Sequence, residues 1–352
     1  MQEFLAKHHI KDKVLAVGVS GGADSLALVI MANEELKVYG YKIVALTVNH
    51  KLRSVADKEA EYVAEIMQKY NIEHHILVWN GEKPQNGIEE SARAARYELM
   101  RNWCVQNGIK NLLVAHHLRD QAETFLIRLQ RGSGLDGLSS MREVSSWCGL
   151  NILRPLLYCE PQALRNYLNK KNIAWQEDES NNDTHFLRNR IRQFLPELQQ
   201  KTGISLQKIA TAVQNLQSAE DYIEQQVDQI WQQYITTYAT NVFCLNYTDY
   251  LSLHKEIKFR LICRMCKKDY IPRAESVLHI ITCLNKLPFG GATLGGKEIF
   301  IADKQIWCVP EICAKHKSSR EEWKKFIEHN PHYKNIRIPH KVRLALLQGE
   351  KP

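Results

Sequence analysis

Apolar runs of strand length alternate with longer amphipathic stretches through the first part of the chain, and few folds accept that alternation. Val14 to Val19 reads as a buried strand and Leu26 to Tyr39 as the helix after it. Lys42 to Val48 is a second strand, followed by a charged helix from about Val55 to Tyr70. His74 to Val78 and a helix from about Ile88 to Asn107 come next, then Leu112 to Ala115 and Gln121 to Gln130. Apolar strands separated by helices predict an α/β fold, a doubly wound parallel sheet with helices on both faces. Ligands of such sheets bind outside the carboxyl ends of the strands.

Directly after the first strand stands Ser20-Gly21-Gly22-Ala23-Asp24-Ser25, which opens the first helix. Glycines without a Cβ let the backbone N–H groups turn inward, and Ser20 and Ser25 add hydroxyl donors. The helix dipole favours an anion at the same place, so the stretch reads as a phosphate cradle. A plain glycine turn with Asp24 and Ser25 capping the helix is the structural alternative. No Gly-Lys-Ser/Thr follows, which argues against a nucleoside-triphosphatase P-loop. The glycine spacing and Asn49-His50 at the end of the second strand argue against a dinucleotide fingerprint, which wants an acid there. Asp24 makes sense in an anion site if Mg²⁺ accompanies the phosphates. The motif resembles the pyrophosphate loop of ATP pyrophosphatases, which cleave ATP between its α- and β-phosphates.

Four further segments follow in chain order. They are Val48-Asn49-His50-Lys51-Leu52-Arg53, Glu90-Ser91-Ala92-Arg93-Ala94-Ala95-Arg96-Tyr97, Ala115-His116-His117-Leu118-Arg119-Asp120-Gln121-Ala122-Glu123-Thr124, and Arg154-Pro155-Leu156-Leu157. The third continues to Arg128 and Arg131-Gly132-Ser133-Gly134, and the last leads on to Trp175 to Asp183 and Arg188-Asn189-Arg190-Ile191-Arg192. Together with the loop these segments span about Val14 to Leu198, and they resemble the bacterial tRNA(Ile)-lysidine synthetases of the PP-loop superfamily.

That resemblance implies a sheet of the adenine nucleotide alpha hydrolase type and a ligation that uses ATP and Mg²⁺. Its substrate would be the wobble cytidine of an isoleucine tRNA with a CAU anticodon. The cytosine O2 attacks the α-phosphorus and releases pyrophosphate; the ε-amine of free L-lysine then displaces AMP, giving lysidine. Ser20, Gly21, Gly22, Ala23, Asp24 and Ser25, with His50, Arg93 and Arg96, are expected at the nucleotide. Asp24 and Asp120 are expected at Mg²⁺, and Arg53, Arg131, Arg188, Arg190 and Arg192 along the tRNA. Free lysine has a pKa near ~10.4, so desolvation or a base must prepare its amine. His117 and Asp120 are the candidates, and Asp24 and Glu123 complete the expected catalytic group.

Bland roles compete with these. His116 and His117 can be satisfied strand-end histidines, Asp120 an N-cap, His50 and Arg53 a polar loop, and the helical arginines solvated charges. One position departs from the family pattern, because Arg119 stands where an acid is usual. The missing carboxylate's role then falls to Asp120, Asp24 or Glu123, or else Arg119 contacts a phosphate.

The catalytic domain is expected over 1–198. Within it, Gly132-Ser133-Gly134 and Gly137-Leu138-Ser139-Ser140 read as a flexible connector or lid, and Ile152 to Leu157 as an edge strand stopped by Pro155. From about Ser205 to Tyr238 the pattern is helical and glutamine-rich without a strand signal. A mainly helical tRNA-binding domain is expected over 199–315. It has helices at Leu253 to Lys268 and Ala274 to Leu284 and short strands near Glu298 to Ile301 and Ile306 to Val309. A short, reduced segment is expected over 316–352, with a faint family likeness upstream around Phe289-Gly290-Gly291 and Leu294-Gly295-Gly296.

A formal charge of +8 suits a nucleic-acid partner without requiring one. Nine cysteines without framework spacing read as reduced thiols. Neither a bilayer-spanning run nor a secretory signal in Met1 to Lys13 is present, so a cytoplasmic protein off the membrane is expected. Cys263 and Cys266 fall on the apolar face of a helix, where packing is favoured over zinc or redox chemistry. Three rival readings are a tRNA 2-thiolation enzyme of the same superfamily, a non-catalytic nucleotide- or tRNA-binding module, and a small-molecule amide synthetase. The first needs reactive cysteines beside ATP, and the last has no use for an arginine-rich surface. The sequence leaves the oligomeric state open, a homodimer included.

Overall fold

The computed structural model describes residues 1–51, 56–81, 87–177, 183–239, 241–267, 272–311, 320–334 and 336–349. Arg53 and the stretch 178–182 quoted above lie outside the described residues. Two compact units emerge, Met1–Ser218 and Ala219–Pro352, divided within a long helix, α9 (Leu206–Tyr234).

The first unit holds a six-stranded sheet in the order β3-β2-β1-β4-β6-β5. Its parallel strands are β1 (Val14–Gly18), β2 (Lys42–Asn49), β3 (Glu73–Val78), β4 (Asn111–Leu113) and β6 (Leu150–Leu153). The strands read as continuous apolar runs because helices cover both faces. On one face Leu15 and Val17 pack with α2 (Ala23–Lys37), α3 (Ala56–Lys69) and α7 (Pro161–Lys170). On the other, Ala16, Val44, Leu46 and Leu112 pack with Met100 and Cys104 of α4 (Ile88–Gln106). From β1 the chain winds outward through β2 and β3, then returns to the other side of β1 at β4. The carboxyl ends of β1 and β4 therefore flank a topological switch point, where such sheets open a crevice.

Three local expectations are corrected. The strand expected at Ile152 to Leu157 is Leu150–Leu153 and lies inside the sheet; the edge belongs to β5 (Val144–Trp147), antiparallel to β6. Its short Val-Ser-Ser-Trp run carries too little apolar signal to be read as a strand. α5 (Leu118–Gln130) starts three residues before the expected Gln121, since His117 serves as its N-cap. The glycine-rich connector after it is tied down: it forms α6 (Leu135–Leu138), and Arg128 Nη1 donates to Gly137 O at 2.8 Å. Buried Gln121 brackets Met141 through its side-chain amide, at 2.8 and 3.0 Å. Gln217 Nε2 donates to Ser139 O at 2.7 Å. After α7 the unit continues with α8 (Leu187–Thr202), which ends at Gly203 in the left-handed region.

The second unit combines its helices with a sheet larger than the short strands expected. A five-stranded antiparallel sheet runs β7-β8-β11-β10-β9, from β7 (Ile235–Ala239), β8 (Val242–Asn246), β9 (Ala292–Leu294), β10 (Lys297–Ala302) and β11 (Gln305–Pro310). The β7–β8 hairpin escaped sequence reading because Ile-Thr-Thr-Tyr-Ala continues a helical pattern without a break. One face of this sheet packs against α11 (Lys255–Cys266) and α12 (Ala274–Leu284), with α10 (Tyr247–Ser252) beside them. Cys266 is buried in that core, 3.9 Å from Cys308 Sγ, and Cys263 packs against it. The other face carries Val242, Trp307 and Val309 under α13 (Arg320–His329) and α14 (His340–Gly349). Residues 320–349 are thus a layer of this unit. Among the described residues no helix is long and apolar enough to cross a membrane.

Candidate active site at the switch point

β1 ends where its partner β2 still accepts a bond, Val19 N to Leu46 O at 2.9 Å, and the chain then turns into the glycine loop. Only Gly21 uses the freedom of glycine, with φ +81. A Cβ there would meet Gln176 Oε1 at 3.0 Å and Val63 Cγ2 at 3.3 Å. Gly22 is the extended N-cap of α2. Ser25 Oγ donates to Gly22 O at 3.0 Å and accepts from Ser20 N at 3.1 Å, so its hydroxyl braces the turn. Phosphate donors are left to the first-turn amides of α2, which have no intrahelical partner.

A cavity of about 330 Å³ opens beside this loop. Ser20, Gly22, Asp24 and Ser25 line it from below, and Thr47 to His50 close one side. Arg93, Arg96 and Tyr97 of α4 overhang it, with Val114 to His116 after β4 opposite. The loop, His50, Arg93 and Arg96, each expected at the nucleotide, thus line one cavity. Among the described residues, none that lines the cavity is a cysteine.

Asp24 joins this cavity to a second, buried group. Its Oδ2 lies 3.4 Å from His117 Nε2, and His117 Nδ1 lies 3.2 Å from Asp120 Oδ2. Burial opposes the imidazolium, but the bond to Asp24 and the charges of Asp120, Asp24 and Glu123 outweigh it, so the His117 pKa is raised. Burial likewise opposes the Asp120 carboxylate, yet His117 and Arg188 hold its pKa below the ordinary value. Asp120 is the N3 residue of α5, not its cap; its Oδ2 accepts from His117 N at 3.0 Å in a capping box.

Two arginines of α8 face inward here. Arg188 reaches Asp120 Oδ1 at 2.8 Å and Glu123 Oε2 at 2.6 Å, and Arg192 reaches Glu123 Oε1 at 2.7 Å. Glu123 has no solvent exposure, and both its oxygens are taken, so it anchors α8 to α5 instead of standing ready as an acid or base. Arg188 and Arg192 are correspondingly ion-paired rather than laid out along a tRNA path, whereas Arg131 and Arg190 are exposed. Asp120, with both oxygens engaged, has little to offer a cation. Asp24 fits one better: its Oδ1 is buried with no hydrogen-bond partner among the described residues.

His116 differs from its neighbour. Burial pushes its pKa down to about 3, so the ring is neutral, and its Nδ1 is buried without a partner among the described residues. Arg154, Tyr97 and Gln176 are site neighbours to which residue-type reasoning gave no role. The one usable signal was a cation, Arg154, set inside the apolar run from Ile152 to Leu157.

The PP-loop domain family matches residues 1–198. The tRNA(Ile)-lysidine synthase of Wolbachia pipientis wMel is 35% identical over 292 residues, covering 81% of this chain and 68% of that protein. The tRNA(Ile)-lysidine synthase of Bradyrhizobium sp. is 39% identical over 217 residues, 61% of this chain and 60% of that one. That of Orientia tsutsugamushi is 41% identical over 184 residues, 51% of this chain but only 41% of its own. Among solved structures, the U34-tRNA thiolase NcsA from Methanococcus maripaludis superposes with a TM-score of 0.52 at 17% identity. That match covers 61% of this chain and 76% of the thiolase, a likeness of fold alone.

Proposed function

Because this chain belongs to the tRNA(Ile)-lysidine synthase family of PP-loop proteins, we propose that it ligates lysine to the wobble cytidine of an isoleucine tRNA with a CAU anticodon. The reaction consumes ATP in the cytoplasm and yields lysidine, AMP and pyrophosphate. The observation that carries this reading is the continuity of two groups through Asp24: a glycine loop at a helix N-terminus, and a buried acid–histidine–arginine network.

In the first step cytosine O2 attacks the α-phosphorus and pyrophosphate leaves. The first-turn amides of α2 are preorganised for the charge that grows on the leaving group. Arg96 supplies a cation over the same cavity. Asp24, with its orphaned oxygen, would hold Mg²⁺, which neutralises phosphate charge when bound. In the second step the ε-amine of lysine attacks C2 and AMP leaves with the bonding electron pair, the amine's proton passing to solvent water.

His117 does not suit that proton, because two carboxylates favour its protonated form. Asp120, held ionised with both oxygens engaged, fixes His117 and Arg188 in place and is no base for the amine. Desolvation and the nearby guanidiniums lower the amine's own pKa and let it react neutral. Purified protein with ATP, Mg²⁺, labelled lysine and a panel of tRNAs tests the proposal. Label should enter only the CAU-anticodon isoleucine tRNA, with matching AMP and pyrophosphate; AMP release with no label in any tRNA would overturn it.

A further inference from the structure

Arg154 directly follows β6, whose register sets Leu153 beside Leu113 of β4, and Val114 N continues the pairing to Leu153 O at 2.9 Å. The residue therefore stands at the carboxyl edge of the sheet next to Ala115 and His116, on the side of β4 away from β1 and the glycine loop. Its Nη1 donates to Arg142 O and to Ser145 Oγ, both at 2.9 Å. Its Nε is buried and has no partner among the described residues.

Neither Arg154 nor Arg93 has a carboxylate partner among the described residues. Arg93 lies over the ring of Tyr97, 5.3 Å from its centroid, and Tyr97 is edge-on to Trp147 of the edge strand at 5.9 Å. Arg93 is close enough to disfavour the Arg154 charge: burial first and then Arg93 lower the Arg154 pKa. After burial, both arginines add to the depression of His116, despite the opposing charge of Asp120. Two cations, one with an idle buried donor and no acid between them, are costly unless an anion completes the group.

We propose that Arg154 and Arg93 clamp a phosphodiester of the RNA strand that carries the reacting cytidine. This deepens the lysidine-forming reading and rests on it for the identity of the RNA. The position selects RNA over ATP. The loop after β1 and the ends of β1 and β2 form the nucleotide side of the cavity, while the β4–β6 ends lie on the opposite flank. On this reading the acceptor base comes to the cavity from that flank. A guanidinium with a free edge above an aromatic wall is a common way to seat single-stranded RNA.

Binding is read without turnover, by fluorescence anisotropy of a labelled anticodon stem-loop of the CAU isoleucine tRNA across a salt series. Affinity for a fluorescent ATP analogue is measured on the same samples. Arg154→Gln should weaken RNA binding about tenfold, the loss of one charge-assisted contact. Its log–log salt slope should become shallower by about 0.7, one phosphate neutralised on a single strand. ATP-analogue affinity should hold within about twofold, well under the tenfold of one lost contact. Ser145→Ala removes one anchor of the guanidinium and should bind RNA as the parent does.

Unchanged RNA binding in Arg154→Gln would overturn the clamp. So would loss of ATP affinity with RNA binding intact, which gives the anion to the nucleotide, or an equal loss in Ser145→Ala, which makes the role structural. Should Arg154→Gln not fold, Arg154→Lys keeps the charge without the fork; the clamp then predicts a parental salt slope with weaker binding, and parental affinity would contradict it. A parent protein that binds the stem-loop but never incorporates lysine would sink the ligase reading and leave the clamp supported or refuted by Arg154→Gln alone.

Discussion

Glu123 is enclosed, and its neutralisation strands two guanidiniums that α8 brings to it. Removing one side of a buried ion pair is strongly destabilising, so Glu123→Gln should lower unfolding free energy by about 3 kcal/mol in urea titrations. An unchanged midpoint would contradict the anchoring role. Two histidines set a pH dependence. Burial holds His74 at about 4 and His116 at about 3, whereas both titrate near 6.5 when unfolded. Between those values the unfolded chain binds more protons than the folded one, so stability falls as pH drops from about 6.5 toward 4. His74→Asn should flatten part of that acid limb in melts at several pH values; parallel curves for variant and parent would refute the assignment. At this scale the loop residues were legible because glycine, serine and an acid carry their chemistry in type and spacing. Arg188 and Arg192 were not, because their partners lie 65 or more positions away and only the packing of α8 on α5 reveals them.

The turn between β1 and α2 depends on one left-handed residue. Gly21→Ala adds a Cβ where φ is +81 and Gln176 and Val63 already stand close. The backbone term alone is about 1–2 kcal/mol. Because the strain falls on the turn that presents the α2 amides, ATP affinity should drop by more than tenfold, which corresponds to about 1.4 kcal/mol. Equal affinity in the variant would mean the loop does not hold the phosphates. Long periodic elements such as α4 and α12 were readable from their apolar spacing, and α12 was expected at the bounds it has. The β5 and β7 strands were not, since each is short and half polar, and each is defined by the neighbour it pairs with. The connector around α6 looked loose for the same reason: its glycines are local, whereas Gln121 and Gln217 tie it from elsewhere in the chain.

The molecule is two units, and the reading from sequence was sounder for the first. Its parallel sheet follows from hydrophobic runs alone, while the antiparallel sheet of the second needs both a helical layer and residues 320–349 to bury its faces. Phe326→Ala should therefore destabilise the second unit by about 3 kcal/mol, seen as an earlier melting transition by calorimetry. A transition at the parental temperature would show that α13 is not part of that core. The decisive measurement for the whole account is a structure of the protein with a non-hydrolysable ATP analogue. The β- and γ-phosphates should rest on the backbone amides from Gly21 to Ser25 with Asp24 alongside; a triphosphate held elsewhere, with that turn vacant, would contradict it.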